Sequence, residues 1–232
     1  MASDVIIACD FSSRREVLEF LDKFGPQKPF LKIGMELFYA EGPEIIQEIK
    51  NRGHKIFLDL KLHDIPNTVK KAMSVLSRLD IDMCNVHAAG TAEMMKAAVE
   101  GLVRPDGTRP LIIAVTQLTS TSEERMQKEL LVCESLEKTV LHYAQNAKNS
   151  GLDGVVCSPL ESEKVKAYCG ADFLTVTPGV RFAESSSDDQ VRITTPAKAR
   201  GFGSDYIVVG RPITAADDPV SAYRRCIEEF LG

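Results

Sequence analysis

Three charged residues that could act in one reaction lie close together in the segment FLDLKLHDIPNTV, residues 57–69, namely Asp59, Lys61 and Asp64. The segment begins as an apolar run typical of a buried strand, where an unpaired charge is costly. An ammonium held by two carboxylates keeps its charge and its orientation, so it can stabilise a developing anion and then donate a proton. The spacing therefore predicts a site that combines electrostatic stabilisation with general acid chemistry.

Two further charges accompany other apolar runs. Asp10 ends the run VIIACD, and Lys32 lies within FLKIG. Either residue alone would usually be a helix cap or a solvated charge. Together with Asp59 and Lys61 they make two carboxylates and two ammoniums, and a unit pair about 4 Å apart contributes roughly 4 kcal/mol at an effective dielectric near 20. Such a cluster is either purely structural or a preorganised site, and we expect a preorganised site.

The elements that must position these charges are eight short apolar runs with helical stretches between them. Most of the runs are continuously apolar, as expected of strands covered on both faces of a parallel sheet. The runs are VIIACD (5–10), FLKIG (30–34), KIFLDL (55–60), MCNVHA (83–88), PLIIAVT (110–116), GVVCS (154–158), FLTVTPG (173–179) and YIVVGRPI (206–213). Helical spacing is seen in Val69, Ala72, Met73, Leu76 and Leu79, and again in Val220, Tyr223, Ile227 and Phe230.

Helix boundaries are indicated by proline and glycine. Asp218-Pro219 and Thr195-Pro196 are typical of an N-cap followed by a proline at N1, and Gly53 and Gly201 lie where C′ glycines are expected. Eight β/α units predict an α/β fold, a single-domain (β/α)8 TIM barrel over residues 1–232. A doubly wound open sheet is the alternative fold. It is disfavoured because the glycine-rich stretch GFGSDYIVVG precedes a strand, whereas a dinucleotide fingerprint follows one.

Phosphate binding is predicted at the last two strands. In such barrels the loops after strands seven and eight commonly bind phosphate, and Arg181, Gly210 and Arg211 lie there. A capping role is the alternative for Arg211. The polar stretch 182–191 is predicted to be a lid over the ligand or, alternatively, a plain surface loop, and Gln190 within it could reach inward.

Composition excludes several classes of function. A net charge of −5 leaves no basic excess for nucleic acid, and the N-terminal apolar run is too short to span a membrane. The six cysteines form no CxxC pair, so we expect buried reduced thiols, no disulfides and no zinc site. HExxH and Walker A motifs are also missing from the sequence, so it contains no recognisable metal or nucleotide motif of these kinds. The predicted protein is soluble and cytoplasmic.

The same segments resemble a known family along nearly the whole chain. FLDLKLHDIPNTV is similar to the DxKxxD signature of the orotidine 5′-monophosphate decarboxylases, bacterial branch, and the matching pieces ACD, LKIG, AVTQLTS, VTPGVR and VVGRPI occur in the family's order. The resemblance implies decarboxylation of orotidine 5′-monophosphate to uridine 5′-monophosphate in de novo pyrimidine synthesis, without metal or cofactor. It also implies a homodimer.

The resemblance also implies roles for individual residues. Lys61 would protonate C6 of the pyrimidine, Asp59 would lie against the substrate carboxylate, and Lys32 would complete the charge array. Asp64 would enter the neighbouring subunit's site. The implied substrate-binding residues are Asp10, Lys32, Asp59, Ile65, Thr68, Thr119, Arg181, Gln190, Gly210 and Arg211.

Two other functions stay open at this point. DxKxxD also occurs in barrels that act on keto-sugar phosphates, so a metal-dependent keto-sugar phosphate decarboxylase or aldolase is one alternative. A non-catalytic phosphosugar-binding barrel is the other. His63 is not assigned a catalytic role because it follows the predicted end of its strand, and His87 is expected in the core or in a supporting hydrogen bond rather than in the pocket.

Overall fold

The computed structural model describes residues 3–184 and 194–232. The strands are β1 Asp4–Ala8, β2 Phe30–Gly34, β3 Ile56–Leu62, β4 Met83–His87, β5 Leu111–Val115, β6 Gly154–Val156, β7 Leu174–Thr177 and β8 Tyr206–Val209. The helices are α1 Arg14–Asp22, α2 Met35–Glu41, α3 Glu44–Asn51, α4 Pro66–Leu76, α5 Thr91–Leu102, α6 Glu123–Glu129, α7 Leu136–Asn149, α8 Ser162–Cys169, α9 Pro196–Gly201, α10 Arg211–Thr214 and α11 Pro219–Leu231.

The strands form one closed parallel barrel. Each strand pairs with the next along the chain, and β8 returns to β1 with Asp4 opposite Tyr206. The predicted (β/α)8 barrel is therefore confirmed, and the open doubly wound sheet is wrong. That the single domain extends over residues 1–232 stays a prediction.

The predicted strand positions are confirmed, but some of their ends differ. The run 206–213 is strand only to Val209, and α10 starts at Arg211. Pro212 explains the early end, because proline has no N–H for the sheet and its φ suits the first turn of a helix. In contrast, β3 extends two residues past the predicted 60, to Leu62.

Apolar side chains form two layers on either side of the barrel wall. The inner layer fills the barrel with Ile6, Ala8, Phe30, Phe57, Met83, Ile113, Val176 and Val208. The outer layer packs alternate strand residues, such as Leu31, Leu58 and Cys84, against the helices. Burial of both faces explains why the strands are continuously apolar in sequence.

Helix ends mostly follow the predicted signals. The Asp218 and Thr195 side chains cap α11 and α9, each with proline at N1, and Gly53 follows α3 with φ +88°. The prediction that Gly201 is a C′ glycine is wrong. It is the last helical residue of α9, and the left-handed position is taken by Gly203 with φ +78°.

Three aspartates stand directly before even-numbered strands at the amino end of the barrel, and we call Asp82, Asp153 and Asp205 the rim aspartates. Each accepts the backbone N–H of the first or second residue of the preceding strand, namely Ile56, Ile112 or Thr175, at 2.8, 2.7 and 2.8 Å. Each also pairs with a cation, Lys50, Arg109 or Lys166. A half-buried carboxylate at this rim is thus neutralised and joins two strands.

The six cysteines are free thiols, and the predicted burial is confirmed for five of them. For Cys133 it is wrong, because this residue lies exposed after α6. No helix within the described ranges has the length and apolar character that a membrane span needs.

Gly154 tests the packing of the barrel wall. A Cβ at this position would lie 2.3 Å from the carbonyl oxygen of Leu174 on β7, whereas a Cβ at Gly201 in α9 would meet nothing within 4 Å. We expect Gly154→Ala to lower the free energy of unfolding by about 1–3 kcal/mol because backbone must move. The matched control Gly201→Ala should be neutral or raise it by up to about 1 kcal/mol. Urea denaturation of both variants checks this, and equal stabilities would contradict the close approach.

Candidate active site at the carboxyl end of the barrel

Polar side chains replace the apolar inner layer on three adjacent strands. Phe30, Phe57 and Met83 face the barrel interior, and the residues two positions further along the same strands are Lys32, Asp59 and Asn85. Because side chains alternate along a strand, these three continue the inward-facing series toward the carboxyl end. Lys32, Asp59 and Asn85 retain only 9%, 7% and 1% of their exposed surface.

An ion network connects these strands. The Lys32 ammonium lies 2.8 Å from Oδ1 of Asp10 and 3.5 Å from Oδ2 of Asp59. Oδ1 of Asp59 accepts from the Lys61 ammonium at 2.7 Å and from the Asn85 amide at 2.7 Å. The structure therefore brings together four predicted site residues, in the alternating order Asp10, Lys32, Asp59, Lys61.

Mutual attraction outweighs burial in this network. Burial by itself favours the protonated form of Asp59, but Lys32 and Lys61 together with the hydrogen bonds from Lys61 and Asn85 hold the pKa of its carboxyl below 3.8. Burial likewise opposes the charge of Lys32, yet Asp59 and Asp10 raise the pKa of its ammonium above 10.5. Both groups are charged at neutral pH.

Gly34 leaves room for the network. Its φ of −89° is open to any residue, so the reason for glycine is space rather than backbone conformation. A Cβ here would lie 3.1 Å from both Oδ1 of Asp10 and Nζ of Lys32. The sequence prediction did not single out this residue.

Lys61 reaches Asp59 in a way that simple alternation does not describe. We expected the two side chains to share a face because they are two residues apart in a strand. The backbone of Lys61 instead has φ +51°, and the pairing of β3 with β4 is irregular between Leu58 and Leu62. The expected proximity is confirmed, but the regular strand that was its basis is wrong.

Three predicted site residues that follow β3 lie on the surface of the protein. Asp64, Ile65 and Thr68 are exposed, and Ile65 keeps 66% of its surface. The Asp64 carboxylate accepts from the backbone N–H of Ile65 at 2.6 Å, and among the residues the structure describes it forms no ion pair. Asp64 is therefore not brought to Lys61 within its own chain.

A cavity of about 240 Å³ opens at this end of the barrel. The charged residues Lys32, Asp59 and Lys61 line it together with several apolar residues. Thr119, a predicted site residue after β5, also lines it. The full lining is Lys32, Phe57, Asp59, Lys61, Val115, Gln117, Leu118, Thr119, Ser120, Val156, Pro178 and Val208.

The predicted phosphate-binding residues lie at the same end of the barrel but do not line this cavity. Arg181 is buried after β7, and Gly210 and Arg211 begin α10 directly after β8. Gly210 lies against β1, since a Cβ there would be 3.6 Å from that of Ala8. Gln190 and most of the predicted lid lie outside the described residues.

The two histidines near Lys61 are not part of the cavity wall. His63 is exposed and His87 is half-buried, with ring centroids 5.7 Å apart. Burial, followed by the nearby His63 and Lys61, lowers the pKa of His87. In residues 3–184 and 194–232, no three His, Cys, Asp or Glu side chains are grouped to hold a metal ion.

Asn85 and Gln117 are site residues that the sequence analysis missed. Asn85 is buried in the ion network, and Gln117 lines the cavity with 8% of its surface exposed. A signal for Asn85 was available. It is the polar residue at the inward position of the otherwise apolar run MCNVH, in line with Lys32 and Asp59 on the preceding strands.

Known proteins are similar to this chain over nearly its whole length. A profile of the "Orotidine 5′-phosphate decarboxylase / HUMPS family" matches residues 3–226. Proteins named orotidine 5′-phosphate decarboxylase from Bacillus cereus (strain G9842) and Geobacillus sp. (strain WCH70) are 56% and 55% identical to this chain over 235 residues. The alignments cover 100% of this chain and 99% and 98% of those proteins.

Solved structures show the same similarity. A crystal structure of orotidine 5′-phosphate decarboxylase from Lactobacillus acidophilus has a TM-score of 0.89 at 43% identity and covers 99% of this chain and 100% of its own. A crystal structure of an uncharacterized conserved protein from Geobacillus kaustophilus has a TM-score of 0.87 at 51% identity. The match covers 97% of this chain and 99% of the Geobacillus chain.

The charge of Asp59 depends on Lys32. We expect Lys32→Met to raise the pKa of Asp59 relative to the wild type, because burial is then opposed by fewer positive charges. In the wild type the depressed pKa gives stability that is present above pH 3.8 and is lost as the pH falls through the folded-state pKa. In the variant this contribution to stability is smaller, and the folded protein protonates Asp59 at higher pH than the wild type does. Carboxyl ¹³C NMR of Asp59 between about pH 2 and 7 measures the shift.

The control is Lys138→Met, which removes an exposed ion pair with Glu134 on the outer surface. It should leave the titration of Asp59 unchanged. An identical Asp59 titration in the wild type and Lys32→Met would contradict the coupling.

Proposed function

Because the chain belongs to the orotidine 5′-phosphate decarboxylase / HUMPS family, we propose that it converts orotidine 5′-monophosphate to uridine 5′-monophosphate in de novo pyrimidine synthesis. The observation that carries the proposal is Lys61, whose ammonium is held 2.7 Å from Asp59 at the wall of the cavity. The full-length relatives at 56% identity that are named orotidine 5′-phosphate decarboxylase support the same reaction. A cytoplasmic location remains a prediction.

The proposed reaction needs a fixed positive charge. Loss of carbon dioxide leaves an electron pair on C6 of the pyrimidine, in the plane of the ring, where no carbonyl can delocalise it. An ammonium beside C6 stabilises that charge by Coulomb attraction and then donates its proton to the carbon. Lys61 is the candidate, because it lines the cavity and its ammonium is held 2.7 Å from Asp59.

Asp59 has a second role in the proposal. It remains ionised at neutral pH, so a substrate carboxylate placed next to it is repelled. The repulsion fades as the carboxylate leaves as neutral carbon dioxide, which lowers the barrier relative to the bound state. Lys32 and Asp10 would hold the ribose hydroxyls with the free hydrogen-bonding capacity of their charged ends.

Binding at the phosphate end would offset this repulsion. Arg211, Gly210 and Arg181 stand after the last two strands, where a guanidinium can make a bidentate contact with a phosphate. Such contacts far from the reacting bond stabilise the complex without interfering with the chemistry. Gln190 on the lid and Thr119 at the pyrimidine edge complete the proposed contacts.

A homodimer is part of the proposal. Asp64 is exposed and does not pair with its own Lys61, and Ile65 and Thr68 beside it are exposed as well. An exposed carboxylate next to an apolar side chain, at the mouth of the barrel, suits contact with a second copy of the chain. Asp64, with Ile65 and Thr68, would then reach the site of the partner.

The proposed catalysis is metal-independent. The ammonium of Lys61 supplies both the positive charge and the proton, so neither step requires a divalent cation. We expect turnover to persist in EDTA.

Lys61→Ala should abolish turnover. We expect kcat/KM for orotidine 5′-monophosphate to fall by roughly 10⁴-fold or more, because both proton donation and charge stabilisation are lost. The loss of ultraviolet absorbance with EDTA present measures the rate for the wild type and the variant. Lys138→Ala, on the outer face of α7, is the control and should match the wild type.

Three results would contradict the proposal. A folded wild type that is inactive with EDTA but acts on keto-sugar phosphates with magnesium would be a metal-dependent relative. Binding of uridine 5′-monophosphate without any turnover would indicate a phosphosugar-binding barrel. Full activity of Lys61→Ala would remove Lys61 from the mechanism.

Mixing two inactive variants tests the shared site. In a dimer of one Lys61→Ala chain and one Asp64→Asn chain, one site keeps Lys61 from the second chain and Asp64 from the first. After refolding an equimolar mixture, half of the dimers are mixed and carry one intact site, so activity should return to about a quarter of the wild type. Sedimentation velocity checks the dimer. A mixture no more active than its components would exclude a contribution of Asp64 across the interface.

A further inference from the structure

The β3–β4 seam is interrupted next to the ion network. Leu58 is paired with Cys84 and Leu62 with Val86, so residues 59–61 on β3 lie opposite Asn85 alone on β4. This bulge places two extra residues in the strand that carries Asp59 and Lys61. The regular backbone hydrogen bonds between β3 and β4 are therefore interrupted at this bulge.

Lys61 has an unusual backbone conformation within this bulge. Its φ of +51° falls in the left-handed region. Residues other than Gly, Asn and Asp seldom adopt this conformation, and it persists only where the surrounding structure enforces it. The conformation redirects the side chain, and the ammonium reaches the Asp59 carboxylate at 2.7 Å.

One side chain replaces the missing ladder. Oδ1 of Asn85 accepts the backbone N–H of Lys61 at 2.8 Å, and Nδ2 of the same amide donates to Oδ1 of Asp59 at 2.7 Å. Asn85 is 1% exposed, so water has little access to substitute for it. The side chain therefore restrains both the backbone of the candidate general acid and the carboxylate that holds its ammonium.

We propose that Asn85 is a positioning residue for the decarboxylation, which fixes the left-handed backbone of Lys61 and the orientation of the Asp59 carboxylate so that the ammonium is aimed at the reacting carbon. The proposal rests on the proposed function. Asn85 acts through Lys61 and Asp59 and is not itself a proton donor to the substrate.

The amide is suited to this task in a way that its closest isostere is not. A carboxylate in its place could still accept the N–H of Lys61, but it would meet Asp59 with a second negative charge. Two carboxylates at hydrogen-bonding distance share a proton, which raises the pKa of one of them. Below that pKa the shared proton restores a donor to Asp59, and above it the two anions repel.

Asn85→Asp is therefore the first variant. We expect its kcat to be about 10²-fold below the wild type at pH 8, in line with the cost of a misplaced catalytic group. The ratio of its kcat to that of the wild type should rise as the pH falls. Affinity for uridine 5′-monophosphate at pH 8, measured by calorimetry, should change less than threefold because the phosphate contacts are remote.

Titrations that the substitution does not alter cancel in that ratio. The charged and titratable groups around Asn85 and Asp59 are Lys32 on β2, Asp10 after β1, Lys61 on β3, and His87 with the adjacent His63. All five are present in both proteins, as is the substrate phosphate. A pH dependence of the ratio thus reports on the new carboxyl group and on the groups coupled to it, of which Asp59 is the one within hydrogen-bonding distance of the residue 85 side chain.

Ser204→Ala is the matched control for a purely structural effect. Ser204 is also buried, and its hydroxyl bonds those of Ser162 and Thr177 at 3.1 Å, outside the cavity. This variant should lose stability in urea with an unchanged pH profile and unchanged kcat.

The outcomes separate this inference from the proposed function. An inactive wild type contradicts the proposed function. If the wild type is active and Asn85→Asp has the same kcat and the same pH profile, the positioning role is overturned. If Asn85→Asp does not fold, Asn85→Ala decides. A fall in kcat of about 10²-fold with product affinity retained supports the role, whereas equal losses of both, or no loss, overturn it.

Discussion

The structure depends on a buried negative charge that is held by two positive ones. Asp59 sits at the top of the apolar barrel interior, where an unpaired carboxylate would take up a proton. Lys32 and Lys61 keep it ionised, and Asp10 balances Lys32. Lys32 and Asp59 each have two partners of opposite charge, and removing any one member of the network would take a partner from another, so the four side chains form a unit. Because the four charges hold one another in place, they can stabilise the negative charge that forms on the substrate in the proposed reaction.

The barrel makes this array possible because it delivers the charges from separate strands. The carboxyl ends of β1, β2, β3 and β4 converge, so residues far apart in sequence become neighbours without long loops. Rigid strands also keep these side chains in one geometry, which is what an electrostatic site requires. The groups proposed to recognise the phosphate and the partner subunit lie instead on connections, after β7 and β8 and between β3 and α4. Lys32, Asp59 and Lys61 thus lie on strands, whereas the proposed contacts to phosphate and to a partner subunit lie on loops or at the start of a helix.

Much of this arrangement was predictable from sequence. The eight apolar runs and their spacing indicate the barrel, and a charge at the end of an apolar strand indicates the site, because both patterns follow directly from burial. The bulge in β3 was not predictable, since nothing in LDLKL shows that Lys61 has φ +51°. Asn85 was missed for a related reason. Its role depends on the register between β3 and β4, which a pattern within one strand does not contain. Gly201 was mistaken for Gly203 because two glycines two residues apart satisfy the same local rule, and only the packed chain selects between them.

The rim aspartates stabilise the end of the barrel that lies opposite the ion network. Each joins the starts of two consecutive strands, so β3–β4, β5–β6 and β7–β8 form three similar pairs, whereas Pro29 stands before β2 at the equivalent position. These bonds therefore reinforce the sheet at the amino end of the barrel, about the length of a strand away from the ion network. Substitutions among the loops at the opposite end leave these bonds intact. In evolutionary terms, the barrel can acquire new substrates at one end while the other end preserves its architecture.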